Sequence, residues 1–396
     1  MTAPRDNLFA TSKFARRLDH LIATIWRKGW DDKPPLDPDY LWAIGSKGYS
    51  PEDETSVRSA EEVSDFRERL AKLCQSLDAQ ADLNALGHTM AYGQLRNAIR
   101  RRHALGRLWN KQPELARTKI AAPIIVLGQM RSGTTRMQRL LAADPRHAGT
   151  RFCDSHHPVP CFPDLRPFKA QAALALARRI NPWLDTLHPF DPTRTDEEIG
   201  WLSAALSPAA FEAQWHIPAY LAFSEARDSA MIYREFTRIL RTDAAHRCNA
   251  AQPRVLKCPQ FHEDAATLLA QFPDARLVVC ERDTADVLSS SLSLVASQMA
   301  FQSRTHDEAR LERHWRHKIA LRSQRCNAAL ASFKGPIAFV DFEEINRDWR
   351  AVMTNVYSTL ELDLSDETLQ VMAREVARDS GGAHRHHSIQ LKRITA

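Results

Sequence analysis

The stretch PIIVLGQMRSGTTRMQRLLAA, from Pro123 to Ala143, reads as a buried strand, a tight loop between two glycines and an amphipathic helix. Ile124, Ile125, Val126 and Leu127 form the short apolar run expected of a parallel strand covered on both faces. Gly128 and Gly133 bound a turn in which backbone can approach a ligand closely, because neither carries a Cβ. In the helix that follows, Met137, Leu140 and Leu141 fall on one face and Arg136, Gln138 and Arg139 elsewhere. Loop N–H groups and the positive end of the helix dipole then meet at one point, which suits a phosphate or a sulfonate.

From Gly128 to Thr135 the spacing is GxxxxGTT, close to the nucleotide-binding GxxxxGK[ST], but Thr134 stands where that motif needs lysine. Terminal-phosphate chemistry loses a main electrostatic support with that lysine. The cation here is Arg131, inside the loop. Arg131, Ser132, Gly133, Thr134 and Thr135 resemble the 5′-phosphate loop [KR]SGTT of the sulfotransferase family, whose donor is 3′-phosphoadenosine 5′-phosphosulfate.

A second signal lies in ARLVVCERDTADVLSSSLSLV, from Ala275 to Val295. Leu277 to Cys280 read as a buried strand with Arg282 at its end, and Asp283 or Thr284 can cap a helix carrying Ser290 two turns in. A guanidinium fork and a hydroxyl suit a phosphate monoester. Arg282 and Ser290 match the family's arginine and serine, eight residues apart, that bind the donor's 3′-phosphate. In RVLKCPQFH the strand Val255–Lys257 ends before Pro259, and the resemblance places Lys257 opposite the transferring group. VDFEEINRDW resembles a family block that usually has tyrosine where Phe342 stands, while Asp341 can also imitate the Mg²⁺-holding aspartate of a nucleotide hydrolase.

Ala148 to Phe152 read as a second short strand with Asp154 just past its carboxyl end, where ligand groups gather in open α/β sheets. The bacterial and tyrosylprotein-type branches of the family are similar here, with a glutamate as general base, so the resemblance assigns that role to Asp154. His156 and His157 are rival bases, and a loop that only hydrogen-bonds itself is the plain alternative. The trio Asp196, Glu197 and Glu198 follows Thr195 in the pattern of a capping box and is read as a helix cap. Between Phe168 and Arg241 nine aromatics, from Trp183 to Phe236, are candidates to wall an acceptor pocket.

The 396 residues, 44% hydrophobic, have room for a sizeable core. Residues 1–119 read as a helical N-terminal extension, broken at DDKPPLDPDY, with Trp26, Trp30 and Trp42 as packing residues. Residues 120–396 read as a nucleotide-loop α/β domain with about five parallel strands between helices. No apolar run reaches a membrane span or a secretion signal, and seven cysteines without a CxxC pair argue against a disulfide framework, so the expectation is a cytoplasmic protein. A net charge of +6 favours anionic ligands, but the basic residues are dispersed and lack the interleaved aromatics of a nucleic-acid surface. The basic tail Gly381–Arg393 offers Arg385 and Lys392 as a loose match to loops that close over the 3′-phosphate.

The resemblance, from about Ala122 onward, implies transfer of a sulfonyl group from 3′-phosphoadenosine 5′-phosphosulfate to a hydroxyl or amine, with no metal required. Arg131 would neutralise the leaving phosphate, Lys257 steady the sulfonyl group and Asp154 take the acceptor's proton. A small-molecule acceptor is favoured, with a peptide tyrosine or a sugar open. A nucleotide-loop kinase and a catalytically idle nucleotide-binding relative are the alternatives. The sequence leaves the oligomeric state open.

Overall fold

The computed structural model describes residues 5–379, and its centre is one sheet of five parallel strands. These are β1 (Ile124–Gly128), β2 (Ala148–Gly149), β3 (Arg254–Lys257), β4 (Arg276–Glu281) and β5 (Ile337–Asp341), in the order β2-β3-β1-β4-β5. Val126 of β1 sits opposite Lys257 on one side and Val278 on the other. Because every pairing is parallel, all carboxyl ends share one edge. The chain builds first on one side of β1 and then, from β4, on the other, which opens a crevice there.

Alternate residues of β1 enter different cores, as the period of a strand requires. Ile124 and Val126 pack with Met137 and Leu141 of the helix Thr134–Ala143 and with Met353 and Tyr357 of the helix Trp349–Thr359. Ile125 and Leu127 pack on the opposite face with Tyr233 and Phe236 of the helix Ala230–His246 and with Phe261 and Leu268. The result is the expected helix-sheet-helix layering.

The preceding helices share this core. Leu105 and Trp109, from the helix Ala85–Lys111, join the Ile125 cluster, and the Trp109 indole donates to Thr242 Oγ1 at 2.8 Å. Arg58 meets Glu235 at 2.7 Å, a buried ion pair whose removal from one side would strand a charge. Trp42 packs edge-on against Phe66 and His103, Trp26 against His88, and Trp30 is exposed.

Two expectations change. The strand read over Ala148–Phe152 is only Ala148–Gly149, because Thr150 and Phe152 turn their backbone bonds to Asp196 and Arg194 instead of to the sheet. Asp154 consequently lies in a short helix, Phe152–His156. Most of the aromatics between Trp183 and Phe236 are core: Trp201, Trp215, Tyr220, Tyr233 and Phe236 are fully buried. Of that set, Phe190 is the residue on the main cavity.

Candidate active site

The loop after β1 closes tightly enough to need its glycines. Gly133 has φ +86°, and a Cβ there would stand 2.9 Å from the Phe342 ring. At Gly128 a Cβ would come within 2.8 Å of both Ser132 Oγ and the Cys280 carbonyl of β4. Arg131 itself takes φ +72°, a costly conformation for a side-chain-bearing residue that persists where surroundings fix it. The Ser132 hydroxyl donates to the Gln129 carbonyl at 2.7 Å and pins the loop. The helix Thr134–Ala143 begins on Gly133, which offers no side-chain cap, so first-turn N–H groups are left for a ligand.

Arg131, Arg282 and Ser290 converge. Arg131 Nε donates to Ser290 Oγ at 2.9 Å and its Nη1 to the Leu187 carbonyl at 2.7 Å. Arg282 Nη1 donates to the Arg131 carbonyl at 3.0 Å, and its guanidinium lies 4.2 Å from the centre of the Phe342 ring. Asp283 accepts from the N–H groups of Ala285 and Asp286 and so starts the helix Thr284–Met299, which buries Ser290. Burial and the neighbouring Arg282 charge pull the Arg131 guanidinium down to about 10. Two cations held this close form a site that an anion stabilises.

At the end of β3, Lys257 is almost fully buried, and its Nζ donates to Thr135 Oγ1 at 2.9 Å and to the Glu197 carboxylate. The acidic trio is therefore not a cap. The helix Ile199–Ser203 starts on Glu198 without a side-chain capping bond, and each carboxyl has a separate task. Glu197 faces the cavity beside Lys257. Asp196 accepts from His188 Nε2 at 3.1 Å; burial pushes its carboxyl up, but His188, Arg139 and Lys257 outweigh that and hold it below the usual carboxylate range. Glu198 is wholly buried and accepts from the Lys257 N–H at 2.8 Å, and burial pushes its carboxyl up to about 8.

Asp154 lies inside the fold. Its carboxylate is fully buried and held by Arg151 at 2.7 Å, Arg166 at 3.2 Å and Arg247 at 3.6 Å, and it does not line the cavity. Burial would raise its pKa, but the arginines outweigh burial and lower it. A carboxylate so placed ties the loop together. His156 does reach the cavity, against the Phe152 ring, and burial with the Arg101 charge lowers it to about 4, so its imidazole is neutral. His157 is lowered to about 4 in the same way and lies off the cavity wall.

The cavity measures about 630 Å³. Arg131, Thr135, Glu197 and Arg282 stand on its wall, and Leu174, Ala177, Leu184, Leu187 and Phe190 make an apolar remainder. Asp341 accepts from the N–H groups of Glu343 and Glu344 as the cap of the helix Phe342–Arg347, where it is spent on structure. Among the described residues no group of three or more His, Cys, Asp or Glu could hold a metal ion. Arg385 and Lys392 lie outside the described residues.

Sequence reading missed Glu197. Thr195 and Glu198 satisfy the spacing of a capping box, and nothing in the local pattern separates that from a carboxylate aimed at a lysine some 60 residues later.

A model of the sulfotransferase family matches residues 123–366, more than half of the chain. The crystal structure of sulfotransferase STF1 from Mycobacterium tuberculosis H37Rv matches with a TM-score of 0.77 at 25% identity, over 91% of this chain and 99% of that one. Sulfotransferase STF9 from Mycobacterium avium matches with a TM-score of 0.77 at 20% identity, over 88% of this chain and 89% of that one, a likeness of fold. No protein of curated function matches in sequence.

Proposed function

Because this chain belongs to the sulfotransferase family, we propose that it moves a sulfonyl group from 3′-phosphoadenosine 5′-phosphosulfate to a hydroxyl or amine of an apolar small-molecule acceptor. The fit of the donor rests on the crowded cations and the loop bounded by Gly128 and Gly133. Arg131, Ser132, Gly133, Thr134 and Thr135 would hold its 5′-phosphate, and Arg282 with Ser290 its 3′-phosphate. When bound, the donor supplies an electrophilic sulfur and a phosphate leaving group.

The rest is the work of this chain's own groups. Negative charge spreads over sulfonyl oxygens in transit, so positioned cations and N–H groups lower the barrier. Lys257 Nζ, bonded to Thr135 Oγ1 next to the loop, would carry that charge. Glu197, on the cavity wall beside Lys257, takes the acceptor's proton as the acceptor oxygen or nitrogen attacks. Glu197 replaces Asp154 in this role because a base must reach the proton it removes. The apolar walls around Leu174, Leu184 and Phe190 favour an acceptor with a hydrocarbon body.

The observation that supports the reading is the 2.9 Å bond from Arg131 to Ser290, which brings together the two turns proposed to hold the donor's phosphates. Calorimetry tests it. Adenosine 3′,5′-bisphosphate should bind, and Ser290→Ala with Arg282→Ala should abolish the heat. Binding of ATP with Mg²⁺ in its place would move the protein to the kinases, and donor binding without gain of SO₃ by any component of a cell extract would make it an idle relative.

A further inference from the structure

Large apolar side chains left in water are unevenly placed. Among the described residues nine are exposed, and six of them, Phe14, Leu21, Phe162, Leu165, Phe168 and Leu176, lie on two touching helices and the turn between Phe162 and Leu165. Phe162 is 100% exposed and Phe168 76%. The helices are Lys13–Arg27 and Arg166–Ile180. Ser12, the cap of the first, donates to the Ile180 carbonyl at the end of the second at 2.8 Å, and Ala15 and Ile180 share one small core. Ala172, Ala173 and Ala175 extend the apolar outer face of the second helix.

Exposed charge on the two helices is mainly basic. Lys13, Arg16, Arg17 and His20 are exposed together on the first helix, and Lys169 and Arg179 on the second. The nearby acids are already engaged. Asp19 accepts from the Leu86 N–H at 2.9 Å, Asp164 is held by Arg166 at 2.8 Å, and Asp185 by Arg178 at 2.7 Å. Exposed apolar side chains, phenylalanines among them, with basic residues on the same two helices complement the acyl and headgroup layers of an anionic bilayer. No helix among the described residues is long and apolar enough to cross a membrane, so the contact is peripheral.

We propose that this face docks on an anionic lipid bilayer. The helix Arg166–Ile180 then stands between membrane and active site, because Leu174 and Ala177 on its other side line the cavity. Given the sulfotransferase reading, on which this last step rests, the acceptor is a hydroxyl- or amine-bearing amphiphile taken from the lipid phase.

The test is co-sedimentation of the full chain with phosphatidylcholine vesicles, with and without phosphatidylglycerol. Binding should need phosphatidylglycerol and weaken with added salt. Phe162→Ser with Phe168→Ser removes side chains that support little of the fold and should lower partitioning by about tenfold or more. Arg16→Glu with Arg17→Glu should remove the preference for the anionic lipid. No binding to phosphatidylglycerol vesicles, or equal binding by the phenylalanine variant, overturns the proposal. So does a dimer in solution that the phenylalanine variant splits, since the face would then join copies of this chain. Calorimetry with adenosine 3′,5′-bisphosphate on the same preparations keeps the two readings apart: intact nucleotide binding with failed docking refutes only the membrane proposal.

Discussion

Glu197→Gln and Asp154→Asn should differ in what they do to turnover. Glu197 is part-exposed on the cavity wall, and its ion pair with Lys257 leaves the lysine a second partner in Thr135. Glutamine keeps an oxygen for Lys257 but leaves that buried ammonium without its counter-charge, so a loss of about 2–3 kcal/mol is expected. Its amide cannot take a proton, and turnover should fall by roughly 10²–10⁴. Asp154→Asn should cost stability alone. Stranding a buried charge typically costs about 3–5 kcal/mol, but Arg166 keeps Asp164, Arg151 is a quarter exposed, and asparagine retains one acceptor, so about 2–3 kcal/mol is expected. Turnover of the remaining folded Asp154→Asn protein should stay within about threefold of the parent, as befits a group off the cavity wall. The pH dependence follows from the depressed Asp154 pKa. Its stabilisation is complete above the unfolded value of about 3.9 and is lost as pH falls through the folded one. The stability gap between parent and Asp154→Asn should therefore be full at neutral pH and close in acid. Urea unfolding across pH reads the stability arm. Formation of adenosine 3′,5′-bisphosphate with an extract-derived acceptor reads the chemical arm. A hundredfold loss of turnover in Asp154→Asn with unchanged urea stability, beside an active Glu197→Gln, would refute the argument that Asp154 cannot reach the acceptor.

Glu198→Gln should stabilise the protein in mild alkali: with its carboxyl pushed up to about 8, the folded state holds a proton that the unfolded state releases near about 4.3, so parental stability declines between those values and the variant's advantage in urea unfolding grows with pH. Gly133→Ala should cost of order 1–3 kcal/mol and weaken adenosine 3′,5′-bisphosphate binding, since positive φ is strained and the new Cβ displaces Phe342 from under Arg282; urea unfolding and calorimetry measure the two effects. Arg131→Lys should lower nucleotide affinity by at least about tenfold in calorimetry, because an ammonium cannot reproduce the fork that meets Ser290 and the Leu187 carbonyl together.

Local pattern was sufficient wherever one short stretch settles its own geometry. The run Ile124–Leu127 becomes β1, Gly133 takes the left-handed turn that Pro123–Ala143 implies, and Asp283 caps the helix carrying Ser290. Strand ends were readable for the same reason, which placed Lys257 and Arg282 on one edge of a parallel sheet. It failed where a side chain's partner is distant in the chain. Asp154 looked free because Arg166 arrives from the start of one helix and Arg247 from just past the end of another. The aromatics between Trp183 and Phe236 looked like a pocket because burial against a sheet and exposure to a cavity use the same residue types.

Hydrophobic period, glycine spacing and capping residues act within a few positions, and they were enough to read the parallel strands and the glycine-bounded loop, while the resemblance of Arg131–Thr135 to a known motif pointed to the family. The assignment of carboxylates to chemistry or to scaffolding was decided only on folding. It depends on which arginine or lysine packs within about 3 Å of each one, and that distance is set by helices crossing from far along the chain.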